Sequence, residues 1–502
     1  MKKRVCMVLF FLALFSNTLA VGAAEKEERE WQDETVYSLM IDRFNNGDQT
    51  NDTGVDINDP NGYHGGDFQG IIDQLDYIKE MGFTAISLTP IFANEDGGYH
   101  GYWVNDFYQT DERFGSNDLF NKLVDEAHKR DMKVILDFVS GYVGPNHPWV
   151  NDPTKKDWFR EEQEEVNEES ISLPKLNHEN PEVKQYIIDA AKWWIKESDI
   201  DGYLLDSVGE VPTSFWVDFT NEVKSVKKDF FLLGEATTND PVKMESYAET
   251  GIDGFVDFPL NEELRKVFPK PDQSFGELFK RPEQNEELGL NSYLMGTFMD
   301  NHHTVRFTRD MVENNEHPGP RWKQSLTYLY TTPGIPIVYY GSEIALDGGN
   351  SPDNRRQMNY RTDKELIDYM AKLSEVRSQL PSLTRGKMEL LYEQDGMAVY
   401  KREYQEETSV VAINNTTETQ TVAIPTEKFA ESADNKELRG MLNGDLVRDK
   451  NKQYTMTIDR DESEIYVLSK KSGINLFYLI SLGVVLLSFF VFLILVSKRS
   501  RL

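Results

Sequence analysis

Between about residues 35 and 380, short apolar runs alternate with longer amphipathic stretches, and this alternation restricts the fold more than any other feature of the chain. The strand-like runs are 35–41, 85–88, 133–138, 202–206, 230–234, 254–258, 294–299 and 335–340. Stretches between them, such as 71–81 and 183–195, carry apolar residues at helical spacing. Strand followed by helix, repeated around the chain, predicts an α/β protein with a parallel (β/α)8 TIM barrel over 31–385. The segment 140–180 after the third strand is longer than an ordinary strand-to-helix loop and rich in Pro, Trp and charge, so it reads as a small inserted domain. Over 386–469 the apolar period drops to two, as in 398–403 and 408–414, which predicts a C-terminal antiparallel β-sandwich.

The two ends read differently. Residues 1–24 begin with Lys2, Lys3 and Arg4, continue into an apolar run and end in small residues, the pattern of a secretory signal peptide. Residues 474–496 carry no charge and would make about 35 Å of helix, enough for one transmembrane helix. The basic tail 497–502 would then stay in the cytoplasm, with the rest of the chain anchored in the cell membrane and facing outward.

Lys and Arg total 54 against 85 Asp and Glu, a formal net charge of −31. That balance excludes a nucleic-acid partner, which needs clustered cations, and suits a neutral ligand such as a sugar polymer. The single cysteine, Cys6, excludes an intrachain disulfide and a cysteine-based zinc site.

Chemistry in such barrels gathers at the C-terminal ends of the strands. Asp206 closes the fourth predicted strand and Glu235 the fifth. Two carboxylates on one rim suit retaining glycoside hydrolysis, one as nucleophile and one as acid/base. On pattern alone, surface carboxylates or helix caps are the readier explanation.

Longer motifs narrow the reading. They are Tyr-His-Gly-Gly-Asp-Phe-Gln-Gly (63–70), Gly-Tyr-His-Gly-Tyr-Trp (98–103), Leu-Pro-Lys-Leu-Asn (173–177), Asn-His-His-Thr-Val-Arg-Phe (301–307) and Pro-Gly-Ile-Pro-Ile-Val-Tyr-Tyr-Gly-Ser-Glu (333–343). In this order and spacing the chain resembles the alpha-amylase family of glycoside hydrolases (family 13) over roughly 31–469, nearest its cyclodextrin-forming and maltogenic branch. The resemblance implies an α-glucan or maltodextrin partner. It implies Asp206 as nucleophile, Glu235 as acid/base, Tyr102 as the ring under the sugar, and His100 and His302 as hydrogen-bonding partners of that sugar. The 46–52 loop resembles the calcium loop of that branch, which implies a calcium held by Asn46, Asp48, Asn51, Asp52, Gly65 and Asp67. An Asx-rich turn is the alternative there. The 348–355 loop resembles one that lines outer sugar subsites, which makes Asp353 a candidate sugar contact; a solvated turn explains it nearly as well.

The departures carry as much information. The family has Arg two residues before its nucleophile, where this chain has Leu204. Its third acid is replaced by His303. Around the calcium shared by barrel and insert, this chain has Gly141, Tyr142, Lys175, Gly209 and Glu210, so that second calcium site is expected to be lost. Lys175 is expected to take over the calcium's charge and pair with Glu210, and Tyr142 and Lys175 to fill the rim beside the acids. Three functions fit: a cell-surface α-glucan-metabolising protein with weak or lost hydrolysis, an active maltogenic-type glycosidase, or a non-catalytic scaffold for glucan or a membrane partner.

Overall fold

The computed structural model describes residues 29–161, 165–166, 171–238, 240–429, 435–471 and 476–499. Each predicted barrel strand forms, two with the expected bounds and six shortened: β1 (Val36–Leu39), β2 (Ala85–Leu88), β3 (Lys133–Phe138), β4 (Gly202–Leu205), β5 (Phe231–Gly234), β6 (Gly254–Phe255), β7 (Gly296–Thr297) and β8 (Ile335–Tyr339). They pair in the order β6-β5-β4-β3-β2-β1-β8-β7, all in parallel. A parallel bridge between Val256 and Gly296, with Asp257 N–H donating to Gly296 O at 2.9 Å, joins the two ends and closes the barrel. Gly254 permits that closure, because a Cβ there would lie 1.9 Å from the Leu294 carbonyl oxygen. Val36, Ala85, Ile135, Phe231, Leu233 and Ile335 fill the interior, as expected of a packed barrel core.

The outer helices follow from their caps and apolar stripes. Asp67 accepts Gly70 N–H at 2.6 Å and starts α1 (Phe68–Glu80), which buries Ile71, Leu75 and Ile78. Ser116 caps α2 (Asn117–Lys129) in the same way. Asn180 and Pro181 start α3 (Pro181–Ser198), and Asp199 ends it in the left-handed region at φ 53°. The insert between β3 and α3 contains a short 3-10 helix, Pro153–Trp158, and a two-stranded hairpin, Glu165–Val166 with Ile171–Ser172. Its Trp149 packs edge-on against Trp158 at 4.7 Å and against Tyr186 of α3 at 4.8 Å, which ties the insert to the barrel wall.

The C-terminal domain has β9 (Lys387–Gln394), β10 (Met397–Tyr404), β11 (Glu407–Asn414), β12 (Gln420–Pro425), β13 (Lys436–Gly440), β14 (Leu446–Arg448), β15 (Gln453–Ile458) and β16 (Ser463–Lys470). A six-stranded sheet, β9-β10-β11-β16-β13-β14, shares a core with the β12–β15 pair through Val399, Val410, Val422, Leu438, Met456 and Tyr466. β13 and β14 were not predicted. Buried Glu437, paired with Arg439 at 2.8 Å and Arg448 at 3.0 Å, puts charge where an alternating strand pattern would show apolar residues.

At the chain's end the expected transmembrane helix at 474–496 needs correction. A helix, α4 (Leu476–Arg499), does form, and its described apolar side chains, such as Leu487 and Phe490, are exposed. Among the described residues no helix is long and apolar enough to cross a membrane. The tail 497–502 is described only to Arg499, and the signal-peptide segment 1–24 lies outside the described residues.

The packing makes one expectation measurable. Trp194 of α3 is fully buried and donates its indole N–H to Phe107 O at 2.7 Å. Trp194→Ala should cost about 3–5 kcal/mol of stability, read by urea unfolding.

Candidate active site

The strand ladder aims two acids out of the barrel's C-terminal mouth. Leu205 of β4 and Gly234 of β5 are register partners, and Asp206 and Glu235 each follow by one residue. Asp206 N–H donates to Phe138 O at 3.3 Å and Glu235 N–H to Leu205 O at 2.9 Å. Register-paired neighbouring strands thus bring both acids to one rim of the barrel. Both residues are buried, with 5% and 3% exposure.

Three more predicted residues join them. Tyr102 Oη donates to Asp137 Oδ2 at 2.6 Å and lies 2.9 Å from His302 Nε2. The Tyr102 and His302 rings stack at 5.3 Å. His100 Nδ1 accepts Tyr102 N–H at 3.0 Å. Asp137, not singled out from the sequence, is a third carboxylate interacting with Asp206 and Glu235. Its signal was an acid inside the otherwise apolar run Val-Ile-Leu-Asp-Phe of β3.

Burial dominates the electrostatics. It pushes the Asp137 carboxyl well above the ordinary range, helped by the charges of Asp206 and Glu235. It also raises Asp206; a hydrogen bond from Tyr142, the His303 charge and a hydrogen bond from Ser207 oppose that rise. Burial holds His302 well below the usual imidazole value, and the His303 charge adds to this. One oxygen each of Asp137 (Oδ1) and Asp206 (Oδ2) is buried without a hydrogen-bond partner.

The replaced positions sit where charge would otherwise act. Leu204 packs against the apolar barrel interior and offers Asp206 nothing polar. His303 Nε2 lies 3.4 Å from Glu235 Oε1. Lys175 Nζ lies 2.9 Å from Glu210 Oε2, the pairing expected from the two charge changes. Lys175 and Tyr142 also pair as a backbone bridge, both are buried, and Tyr142 hydrogen-bonds Asp206. Arg355, also missed, is buried and donates to His302 O at 3.2 Å and to Tyr99 Oη at 3.3 Å, so it fixes the histidine's backbone.

Asp353 is not brought to this cluster by any of its contacts. Its carboxylate is engaged by Arg356 at 2.7 and 2.9 Å and by Gly349 N–H at 2.7 Å. Its neighbour Asn354 braces His302 O at 2.9 Å. In the 46–67 loop, Asn46 Oδ1 and Asn51 Oδ1 are buried without hydrogen-bond partners, as cation ligands awaiting an ion would be. Asp52 lies beside them, accepting from Asn46 Nδ2 at 2.8 Å. Gly65, at φ +86°, lets the backbone approach; a Cβ there would lie 2.5 Å from Asn46 Nδ2. Asp48 is half-buried and bound to Thr50, and Asp67 holds the N–H groups of Gly47, Asp48 and Gly70. Asn46, Asn51 and Asp52 therefore fit a hard cation, whereas Asp48 and Asp67 shape the loop.

The raised Asp206 carboxyl has a stability consequence. The native state holds that proton more tightly than the unfolded chain, so this contribution is full below about pH 4 and is lost as pH rises through the raised native value. With chelator present, Asp206→Asn should therefore stabilise the protein at pH 8 by about 1–3 kcal/mol, with the gain shrinking toward pH 4. Thermal unfolding across that range measures it.

Similarity to known proteins agrees with this geometry. The family described as "Alpha amylase, catalytic domain" matches residues 38–170 and 158–376, and "Alpha-amylase C-terminal domain" matches 386–466. An Anoxybacillus alpha-amylase structure is 58% identical with a TM-score of 0.85, covering 89% of this chain and 100% of that one. A Geobacillus thermoleovorans alpha-amylase complexed with acarbose is 54% identical with a TM-score of 0.84, again covering 89% and 100%. Maltogenic alpha-amylase of Bacillus acidopullulyticus is 32% identical over 77% of this chain and 70% of its own length. Beta/alpha-amylase of Paenibacillus polymyxa is 33% identical over 87% of this chain, which spans only 38% of that relative. A Bacillus subtilis relative, 32% identical over 72% of this chain and 64% of its own length, is named an intracellular maltogenic amylase. With no membrane-crossing helix among the described residues, that relative runs against the expected cell-surface placement, which is corrected accordingly. The chain belongs to the alpha-amylase family of glycosidases, close to its maltogenic and cyclodextrin-degrading members.

Proposed function

We propose that this protein binds α-glucan chains of the maltodextrin kind in its barrel mouth and hydrolyses them weakly or not at all. The observation that carries the reading is His303 Nε2, 3.4 Å from Glu235 Oε1, at the position where the family carries an acid.

Retaining hydrolysis needs Asp206 ionised to attack the anomeric carbon while Glu235 gives a proton to the departing oxygen. Here burial opposes the Asp206 charge, and Leu204 supplies no counter-ion. An imidazolium at 303 pairs with the carboxylate form of Glu235, the form that has no proton to give. It also repels the positive charge that develops on the sugar. Such terms contribute several kcal/mol in this reaction class, and each 1.36 kcal/mol is about tenfold in rate. Sugar contacts are a different matter: Tyr102, His100 and His302 keep an organised, buried arrangement that suits binding. Calcium at Asn46, Asn51 and Asp52 would tie the loop to the start of α1 and supply structural rigidity rather than chemistry.

The full chain, assayed for reducing sugar on starch, maltodextrin, cyclodextrin and pullulan, should turn over at least about 100-fold below an active relative while binding maltoheptaose by calorimetry. The double variant Leu204→Arg, His303→Asp should gain at least about tenfold in rate. High wild-type turnover that disappears in Asp206→Asn would instead favour an active glycosidase. The retained Asp206–Glu235 geometry is what favours that second reading. Separately, chelation should lower the melting temperature by several degrees and added calcium should restore it, since an ion that binds only the folded state stabilises it.

A further inference from the structure

We infer that Glu235, His302 and His303 form a binding site for one divalent transition-metal ion of the zinc class at the mouth of the barrel. One potential ligand atom from each of the three lies within 4.8 Å of the other two. Around a tetrahedral zinc with bonds of about 2.0–2.2 Å, ligand atoms stand roughly 3.4 Å apart, and His303 Nε2 and Glu235 Oε1 already lie at 3.4 Å. The set would therefore close on an ion with only small side-chain rotations.

The surroundings prepare one ligand. Tyr102 Oη donates its single proton to Asp137 Oδ2, so it accepts from His302 Nε2–H. That assignment leaves the lone pair of His302 on Nδ1 and ties the ring, through tyrosine, to a carboxylate. Histidine ligands are oriented in this way by their outer partners. Arg355 and Asn354 hold the His302 carbonyl, which fixes the backbone of the His302-His303 pair.

A second observation also calls for a cation. Asp137 and Asp206 are 1% and 5% exposed, and Asp137 Oδ1 and Asp206 Oδ2 are buried with no hydrogen-bond partner. Buried carboxylate oxygens are normally satisfied. These two belong to a group of three interacting acids that includes Glu235. A divalent ion would offset that negative charge. Two imidazoles and one carboxylate select a borderline metal such as zinc over calcium, which prefers oxygen-only ligands. The inference goes beyond the glucan reading and does not depend on it.

The test uses the full chain, stripped with chelator, dialysed and titrated with zinc chloride against a competing chromophoric chelator near neutral pH. One zinc should bind with a dissociation constant of about 1 µM or tighter. His303→Ala and Glu235→Gln should each weaken it at least about 30-fold, whereas His317→Gln, altering an exposed histidine elsewhere, should leave it unchanged. Cobalt(II) bound to the wild-type chain should give visible bands of low-coordinate N/O ligation, a readout that needs no variant. No stoichiometric zinc tighter than about 100 µM, or equal affinity in all three variants, would overturn the site. Maltoheptaose binding in the same samples is scored separately, so failure of the metal site and failure of the glucan reading are distinguishable.

Discussion

Three carboxylates buried together at the mouth of a parallel barrel are the constraint around which the rest of this molecule is arranged. The strand register brings Asp206 and Glu235 to one rim whatever their surroundings, and Asp137 on β3 adds a third negative group. Such a cluster is costly unless it is protonated, hydrogen-bonded or matched by cations. In this chain the relief comes from Tyr142 and Ser207 hydrogen bonds and from His303, not from an arginine on β4. Burial thereby raises the Asp206 carboxyl, against the charge that nucleophilic attack requires.

The same logic recurs one layer out. Lys175 and Glu210 pair at 2.9 Å, as the two opposite charge changes at these positions lead one to expect. Lys175 is buried and also bridges the Tyr142 backbone, which links that substitution to the side chain donating to Asp206. The changes at 142, 175, 204, 210 and 303 therefore form a connected set around one charge problem.

Much of this was legible in the sequence, because the features involved are local. Strand positions follow from apolar runs, and the placement of Asp206 and Glu235 follows from being next after a strand end. The Lys175–Glu210 pair was legible because two opposite charge changes appeared at positions the family brings together. What escaped has physical reasons. β13 and β14 hide behind Glu437 and its two arginines, since a buried carboxylate breaks the alternation that marks a strand. Asp137 read as one acid in an apolar run, and only the fold places it against two others. The C-terminal segment reads as a membrane span by its uncharged length, yet among the described residues no helix is long and apolar enough to cross a membrane.

The most direct measurement of the central claim is covalent trapping of the nucleophile. A fluorinated α-glucosyl fluoride accumulates the glycosyl-enzyme of a working retaining glycosidase, and intact-protein mass spectrometry reads the adduct. The account predicts no adduct on Asp206 of the wild-type chain over several hours. Rapid stoichiometric labelling of Asp206, absent in Asp206→Asn, would contradict it.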